Sequence, residues 1–513
     1  MGVGLITITH YPKWHDYAVV ALLIAASAAV TWFLLRNVGP ALSRSAPAGE
    51  PALRWLGTLV VFAIMFFVHD HPYVLMDPFH EGEHLTPAFL YRDGARPYRD
   101  VFLVHGLAYD GGLDALVLGT PASPRRTRRL ETILDSATLA LLVPIAAELC
   151  ASGGAVAAAV IAALCAVGAG QVPVFPYYRL APILLATLGL LHYARTKRGL
   201  LLAYIASAFG ILWSLDTGMY AVAATAICTA ILRPPLKRVF VSAAIAVSLP
   251  ILILMAIRAD LVRFAIDSFV IIPRSIDAIW SRPARTTIDW ESARYYLPPI
   301  FFGWLLASSI RKRNMQGIIV AIFSIIAFRS AAGRCSWSHT RYGLPLFGVA
   351  LVAFVLQPLR WRWRWVAAIP IIVLIEIFPN GIDATKFIGG WKARQRHQSV
   401  VDVTVLTRFV NANAPPGATI LDVANERALY FLLRRHPPTR CFDVPFLSVP
   451  ALADEARGQL ERNPPACVIV EGMKEVDNLD GIPNRVRVPW LFAWVDQNYP
   501  RRTRIGRFVV ATK

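Results

Sequence analysis

Between Met76 and Gly106 the chain reads MDPFHEGEHLTPAFLYRDGARPYRDVFLVHG, which gathers Asp77, Glu81, Glu83, Asp93 and Asp100 with His80, His84 and His105. The stretch directly follows a strongly apolar segment. Acids at the mouth of a bilayer span are costly to place, so an ionisable cluster there reads as a site by default. One such carboxylate, held near a desolvated site with its pKa nudged upward, can act as a general base. It would take the proton from an acceptor hydroxyl as that oxygen attacks a sugar's anomeric carbon. Asp77 and Glu81 are four residues apart, which on a helix puts both on one face, and Pro78 restricts that helix to starting near this point. The competing structural role for any one acid is to cap the following helix or to pair with Arg92 or Arg96.

A second chemistry comes from His80-Glu81-Gly82-Glu83-His84, which formally matches H-E-x-x-H. In that motif two histidines one helical turn apart bind zinc and the glutamate activates water for proteolysis. Gly82 disfavours a helix through the motif, His105 is the conceivable third ligand, and Leu479-Asp480-Gly481 lies in the soluble region instead of a span. A third possibility is transport or flipping of a lipid-linked substrate without bond chemistry, with intramembrane acids and arginines lining the path.

Any lipid-phosphate substrate needs cations, because Arg binds phosphate bidentately. Arg179, Arg263, Arg274, Arg334 and Arg341 are placed for this, although interfacial arginines commonly serve as anchors. Arg334 and His339 rank first because their loop is short, polar and flanked by spans. Asp216 sits between two spans, where its alternative role is a helix N-cap.

The elements that must position these residues are legible from composition. Of 513 residues, 56% are hydrophobic and 17% charged, with a mean hydropathy of +0.49, against about 25% charged in soluble domains. Apolar blocks recur from Tyr17 to Phe378, and about 20 apolar residues cross a hydrocarbon core. The chain is expected to be a polytopic α-helical membrane protein with about twelve spans. The net charge of +19 is concentrated in short clusters between spans, such as Arg195/Lys197/Arg198, Arg233/Lys237/Arg238 and Arg311/Lys312/Arg313. That is the positive-inside pattern, and it argues against a nucleic-acid partner. The pattern puts the acidic stretch, Asp216, the Arg334–His339 loop and the C-terminal region on the outer face. Leu107–Leu118 carries Asp110 and Asp114 and reads as a poor span or an interfacial helix. The arginine-rich Pro124–Arg129 connection is cytoplasmic counted forwards but outer counted from the C-terminus.

After Pro379 the composition becomes that of a soluble α/β unit. Ala418–Val423, Ala466–Val470 and Phe508–Ala511 read as strands, and Val401–Asn413, Glu426–Arg434 and Ala451–Arg462 as helices. Cys441 and Cys467 could form a disulfide if this unit is periplasmic, but Cys467 reads as an ordinary buried strand residue. No cleavable signal peptide is evident around the first span, Tyr17–Leu35.

This organisation resembles the GT-C superfamily of polytopic glycosyltransferases, and is most similar to its protein-O-mannosyltransferase and aminoarabinose-transferase branch. GARPYRD from Gly94 to Asp100 is like the family's G…PY.D. SLDTGM from Ser214 to Met219 stands at an outer span end, and GRCSWSH from Gly333 to His339 is loosely like a GR.D..H loop. ALYFLLRRHPPTR from Ala428 to Arg440 is similar to a periplasmic YFL..R.PPTR pattern. The family's Asp-Glu pair falls at His80-Glu81, with Asp77 three residues earlier, and Ser336 stands where an aspartate is common. The resemblance implies a transmembrane GT-C-like domain over 1–380 with an outer catalytic loop at 69–106, and a periplasmic α/β domain over 381–513, in a bacterial inner membrane. It implies inverting transfer of a sugar from a polyprenyl-phosphate donor to a glycan, lipid or protein hydroxyl. Glu81 or Asp77 would be the base. Glu83, Asp100, His105, Arg179, Asp216, Arg334 and His339 would contact the substrate or its lipid phosphate. No cofactor is required on this reading. A divalent metal is compatible with the residues but not expected, and His80 and His84 are its alternative ligands.

Overall fold

The computed structural model describes residues 51–68, 76–120, 122–167, 176–280, 290–330, 343–355, 402–472 and 481–513. In chain order its principal helices are α1 (Pro51–Val68), α2 (His80–Arg92), α3 (Pro124–Leu149), α4 (Gly153–Val167), α5 (Ala181–Thr196), α6 (Leu200–Trp213), α7 (Leu215–Leu232) and α8 (Leu236–Ala256). They continue with α9 (Trp290–Arg311), α10 (Met315–Ala327) and α11 (Leu344–Ala350). The C-terminal region holds α12 (Thr404–Asn413), β1 (Ile420–Asp422), α13 (Ala428–Leu433), α14 (Pro450–Arg462), β2 (Cys467–Glu471), α15 (Pro489–Asn498), β3 (Arg501–Ile505) and β4 (Phe508–Thr512).

Among the described residues, α3, α7 and α8 are long and apolar enough to cross a membrane, and five shorter apolar helices accompany them. The chain is therefore a polytopic helical membrane protein. The expected first and last spans, Tyr17–Leu35 and Val366–Phe378, fall outside the described residues, as do Arg334 and His339. Leu107–Leu118 is not a span. It forms two five-residue helical turns, Ala108–Gly112 and Leu113–Val117, far short of the roughly 20 residues a crossing needs.

Close contacts divide the chain into two units. The first comprises Met1–Val61, Ala140–Gln171 and Ala284–Gln395. In it α4 and α11 meet backbone to backbone: a Cβ on Gly348 would stand 2.6 Å from the Ala163 Cα, the small-residue packing that membrane helices favour. Glu148, buried in an apolar segment, is paired with Arg54 at 2.9 Å.

The second unit comprises Phe62–Leu139, Val172–Pro283 and Arg396–Lys513, and holds the candidate site. Here α6 packs on α5, α7 and α8. The turn from α6 to α7 closes because Gly218 approaches the Gly210 carbonyl carbon to within 2.2 Å of where a Cβ would be. Along α8, Phe240, Leu252 and Met255 remain exposed, as on a lipid-facing helix.

The C-terminal residues of this unit form a four-stranded sheet in the order β1-β2-β4-β3. β1 and β2 pair in parallel, with Leu421 opposite Val468, and β4 pairs antiparallel with both β2 and β3. The parallel pair needs a crossover, which α13 and α14 supply. Cys441 and Cys467 are both free and buried, and Cys467 is a core residue of β2.

Candidate active site

The helix that carries the acidic cluster runs straight through HEGEH, contrary to the sequence expectation that Gly82 interrupts it. The glycine answers to packing instead. A Cβ at Gly82 would lie 2.3 Å from the Ala428 amide nitrogen, so α13 rests directly on the first turn of α2. Two hydrogen bonds fasten this contact: Ala428 N–H donates to the Pro78 carbonyl at 2.9 Å, and the Thr86 hydroxyl Oγ1 donates to the Arg427 carbonyl at 2.7 Å.

Asp77 caps this helix. Its Oδ1 accepts the N–H groups of Phe79 at 3.0 Å and His80 at 3.2 Å, and its own N–H donates to Glu81 Oε1 at 2.9 Å, a reciprocal arrangement of capping-box type. Oδ2 meets His80 Nδ1 at 2.7 Å. Burial would lift the Asp77 pKa, but the His80 ring and the two backbone donors together hold it below the usual carboxylate range. Glu81 differs. Arg128, from the first turns of α3, grips it with Nε on Oε2 at 2.8 Å and Nη2 on Oε1 at 2.6 Å. Burial nonetheless wins over Arg128 and raises the Glu81 carboxyl above its ordinary value. Because Arg128 reaches Glu81, the head of α3 stands with the acidic stretch. The arginine-rich connection therefore belongs to that face, which removes the conflict between the two countings.

Glu83 points to the other side of α2. It is bound by Arg427 Nη1 at 2.6 Å, and Arg427 also approaches Asp443 at 2.9 Å and lies 4.2 Å over the Phe79 ring. Burial opposes ionisation of Glu83, but the Arg427 charge prevails and holds it down to about 2.

His84 begins a chain of rings in edge-on and tilted contact. Tyr109 lies 4.4 Å from His84 and 4.9 Å from His105, and Arg179 sits 4.6 Å over the Tyr109 ring. His105 is pinned by Asp110, which takes its N–H at 2.8 Å and faces its Nδ1 at 3.2 Å. Burial disfavours the charged ring, yet Glu83 and Asp110 outweigh it and raise the His105 pKa. His84 goes the other way, because burial dominates and lowers it. Arg179 donates to Asp216 at 2.8 Å and to Ser214 at 3.1 Å, and Leu215 N–H donates to the His105 carbonyl. The α6–α7 turn is thereby tied to the acidic stretch.

The structure therefore brings together Asp77, Glu81, Glu83, His80, His84, His105, Arg179 and Asp216, on α2, the following turns, and the ends of α5, α6 and α7. Asp100 is apart: it is exposed, and its carboxylate takes the Arg96 N–H at 2.8 Å across its own loop. The metalloprotease arrangement is not assembled among the described residues, since His80 turns to Asp77 and His105 to Asp110.

Sequence reasoning missed the two arginines that hold the acids. Arg128 counted only as one of the four arginines between Pro124 and Arg129. The signal available was their position at the head of an apolar helix, where a basic cluster that is not cytoplasmic needs acidic partners. Arg427 stands one residue before the ALYFLL pattern, and no local feature marks it. Arg440, inside that pattern, proves structural. It donates to the Tyr98 carbonyl at 3.1 Å and to Glu455 at 2.8 Å, and pairs with Asp267 at 2.5 Å, so it clamps the GARPYRD loop.

No protein-family model matches the sequence, and no curated protein matches it. Among solved structures, the chain is similar to ArnT from Cupriavidus metallidurans bound to undecaprenyl phosphate, with 12% identity over 89% of this chain and 97% of that one, at a TM-score of 0.52. The apo crystal structure of the same ArnT aligns at 11% identity over 90% of this chain and 98% of that one, with a TM-score of 0.48. At such identity the first likeness shows the fold alone: this chain is folded like that ArnT.

Proposed function

We propose that this chain, built on the fold of the undecaprenyl-phosphate-bound ArnT, is an integral-membrane glycosyltransferase. It would move a sugar from a polyprenyl-phosphate donor to an acceptor hydroxyl at the outer face of a bacterial inner membrane. The observation that carries the reading is Glu81, a part-exposed carboxylate at the start of α2 whose pKa burial raises despite Arg128. A base works best with its pKa brought toward the operating pH. Of the two acids left open by the sequence, Glu81 fits and Asp77 is committed to capping.

Arg128 and the Asp77 N–H occupy three of the roughly four lone-pair sites of the Glu81 carboxylate. The remaining one accepts the acceptor's proton. The acceptor oxygen forms its bond to the anomeric carbon as the bond from that carbon to the phosphate oxygen breaks, with inversion. The electron pair leaves on the polyprenyl phosphate, which departs as an anion stabilised by fixed cations. Arg179, oriented by Asp216 and Ser214, is the described cation assigned to that phosphate, and Arg334 and His339 retain the same assignment. Since the leaving group is already a phosphate anion, the bond-breaking step asks for no metal.

The test is glycan and lipid profiling of a deletion strain complemented with wild type, Glu81→Gln or Asp77→Asn. Deletion is expected to remove one sugar decoration and to accumulate its lipid-linked donor. Wild type restores the decoration. Glu81→Gln loses about 100-fold or more of the transfer rate, the span of a lost general base. Asp77→Asn largely restores it, because Asn caps about as well as Asp. Full restoration by Glu81→Gln would sink the assignment of the base, and an unchanged glycan profile in the deletion strain would sink the reading itself.

A further inference from the structure

Beside the proposed base lies a group of side chains to which transfer assigns no role. His84 of α2, Asp114 of the Leu113–Val117 turn and Glu131 of α3 each bring one ligand-type atom within 4.8 Å of the others. Three separate elements thus converge on one point.

Asp114 is 3% exposed. Among the described residues no N–H or O–H donates to its carboxylate, and its nearest described partner is His84 Nδ1 at 3.7 Å, beyond hydrogen-bond length. That nitrogen is committed elsewhere. It donates to the Tyr109 carbonyl at 2.6 Å, which puts the ring's lone pair on Nε2, so the ring has to turn that nitrogen, in place of the one 3.7 Å from Asp114, toward a shared ion. Glu131 lies on a helix apolar enough to span a membrane, and no described donor hydrogen-bonds its carboxylate, although the charge of Arg128 reaches it. A buried carboxylate without a donor is costly, and Asp114 is in that position with a second carboxylate and an imidazole beside it. An imidazole whose other nitrogen is fixed by a backbone carbonyl is also how metal-ligating histidines are held and oriented.

We infer that His84, Asp114 and Glu131 bind one divalent first-row cation of the zinc or manganese class. One imidazole and two carboxylates suit such ions, and three ligands are too few for the oxygen-rich shell of calcium. Metal–ligand bonds of about 2.0–2.2 Å need the most widely spaced atoms to close by roughly 1 Å, which side-chain rotation supplies. The ion would staple α2 to α3 beside the point where Arg128 holds Glu81. It thereby fixes the helix that carries the base, without acting on the sugar. His80 takes no part, so this is not the zinc arrangement that H-E-x-x-H suggests.

The test uses the full chain, purified in detergent and stripped with a chelator. Zn²⁺ or Mn²⁺ is then added separately, metal content is measured by mass spectrometry after desalting, and melting is followed by fluorimetry. Wild type is expected to retain close to one equivalent of at least one of the two metals and to melt higher with it. Asp114→Asn and Glu131→Gln, close in shape to the native residues, should bind roughly 10-fold more weakly or worse and lose the metal-dependent rise. His84→Ala should do the same, and if it fails to fold the two amide variants carry the comparison. Equal metal retention in wild type and both amide variants, or none in any of them, overturns the inference. The readouts are metal content and melting temperature. A negative result here leaves the transfer reading intact, and an unchanged glycan profile leaves this one intact.

Discussion

Arg427 donates to Glu83 at 2.6 Å but only approaches Asp443, where neither side-chain oxygen has a hydrogen-bond partner among the described residues. The two carboxyls therefore diverge. Glu83 is held down to about 2. Asp443, on which burial outweighs Arg427, is pushed up to about 6. The signs of the resulting pH dependence are opposite. Glu83 contributes stability that is present above its unfolded value of 4.5 and lost as pH falls toward about 2. Asp443 binds its proton more tightly folded than unfolded, so its contribution is greatest below 3.8 and is lost as pH rises through about 6. Melting temperatures across that window should show the wild type falling relative to Asp443→Asn as pH rises, and parallel curves would refute it. Arg427→Met should cost about 3–5 kcal/mol, because it strands a buried charge, read as a lowered melting temperature at pH 7. The acids of this network were legible in the sequence, since an ionisable cluster against an apolar segment is conspicuous. Their arginines were not, because Arg128 and Arg427 lie 47 and 344 residues from Glu81 and Glu83, and pairing over such separations is a property of the fold.

The start of α2 shows how tertiary packing overrides local propensity. A glycine inside a helix costs about 1 kcal/mol relative to alanine, so Gly82 reads as a break. It persists because any side chain there would displace Arg427 and Ala428. Gly82→Ala should therefore destabilise the protein despite the better helix former, by the roughly 1–3 kcal/mol typical of overpacking, and expose the α13 region to protease. A protease pattern and melting temperature equal to wild type would show that the contact yields. Gly111 is constrained twice, by a φ of +83° and by a Cβ position 2.5 Å from the His84 carbonyl. Strands β1, β2 and β4 were readable from their Val- and Ile-rich runs. β3, Arg501-Arg-Thr-Arg-Ile505, was not, because its first four residues are exposed and it exists by pairing with β4.

At the scale of the whole chain the remaining question is sidedness, and the second unit frames it. Arg128 to Glu81, Arg179 to Asp216 and Leu215 to His105 gather the heads of α2 and α3 and the α6–α7 turn at one end. The opposite ends of α5 to α8 carry Arg195, Lys197, Arg198, Arg233, Lys237 and Arg238, which are exposed at helix termini. Acids gather at the first end and a cluster of basic residues at the second, so the positive-inside rule predicts that the second faces the cytoplasm. Thiol labelling tests this directly. Cys150, Cys228, Cys441 and Cys467 are buried, and Cys165 and Cys335 are replaced by serine to give an unreactive background. In intact spheroplasts, Arg99→Cys and Arg485→Cys, at exposed positions on the acidic side, should react with an impermeant maleimide. Lys197→Cys and Lys237→Cys should react only after the membrane is opened. Labelling of Lys237→Cys from outside would invert the topology and remove Glu81 from the face where the proposed transfer takes place. Were all four to label alike, the α5–α8 helices would not cross the bilayer between these two ends, and the expected spans themselves would have to be reassigned.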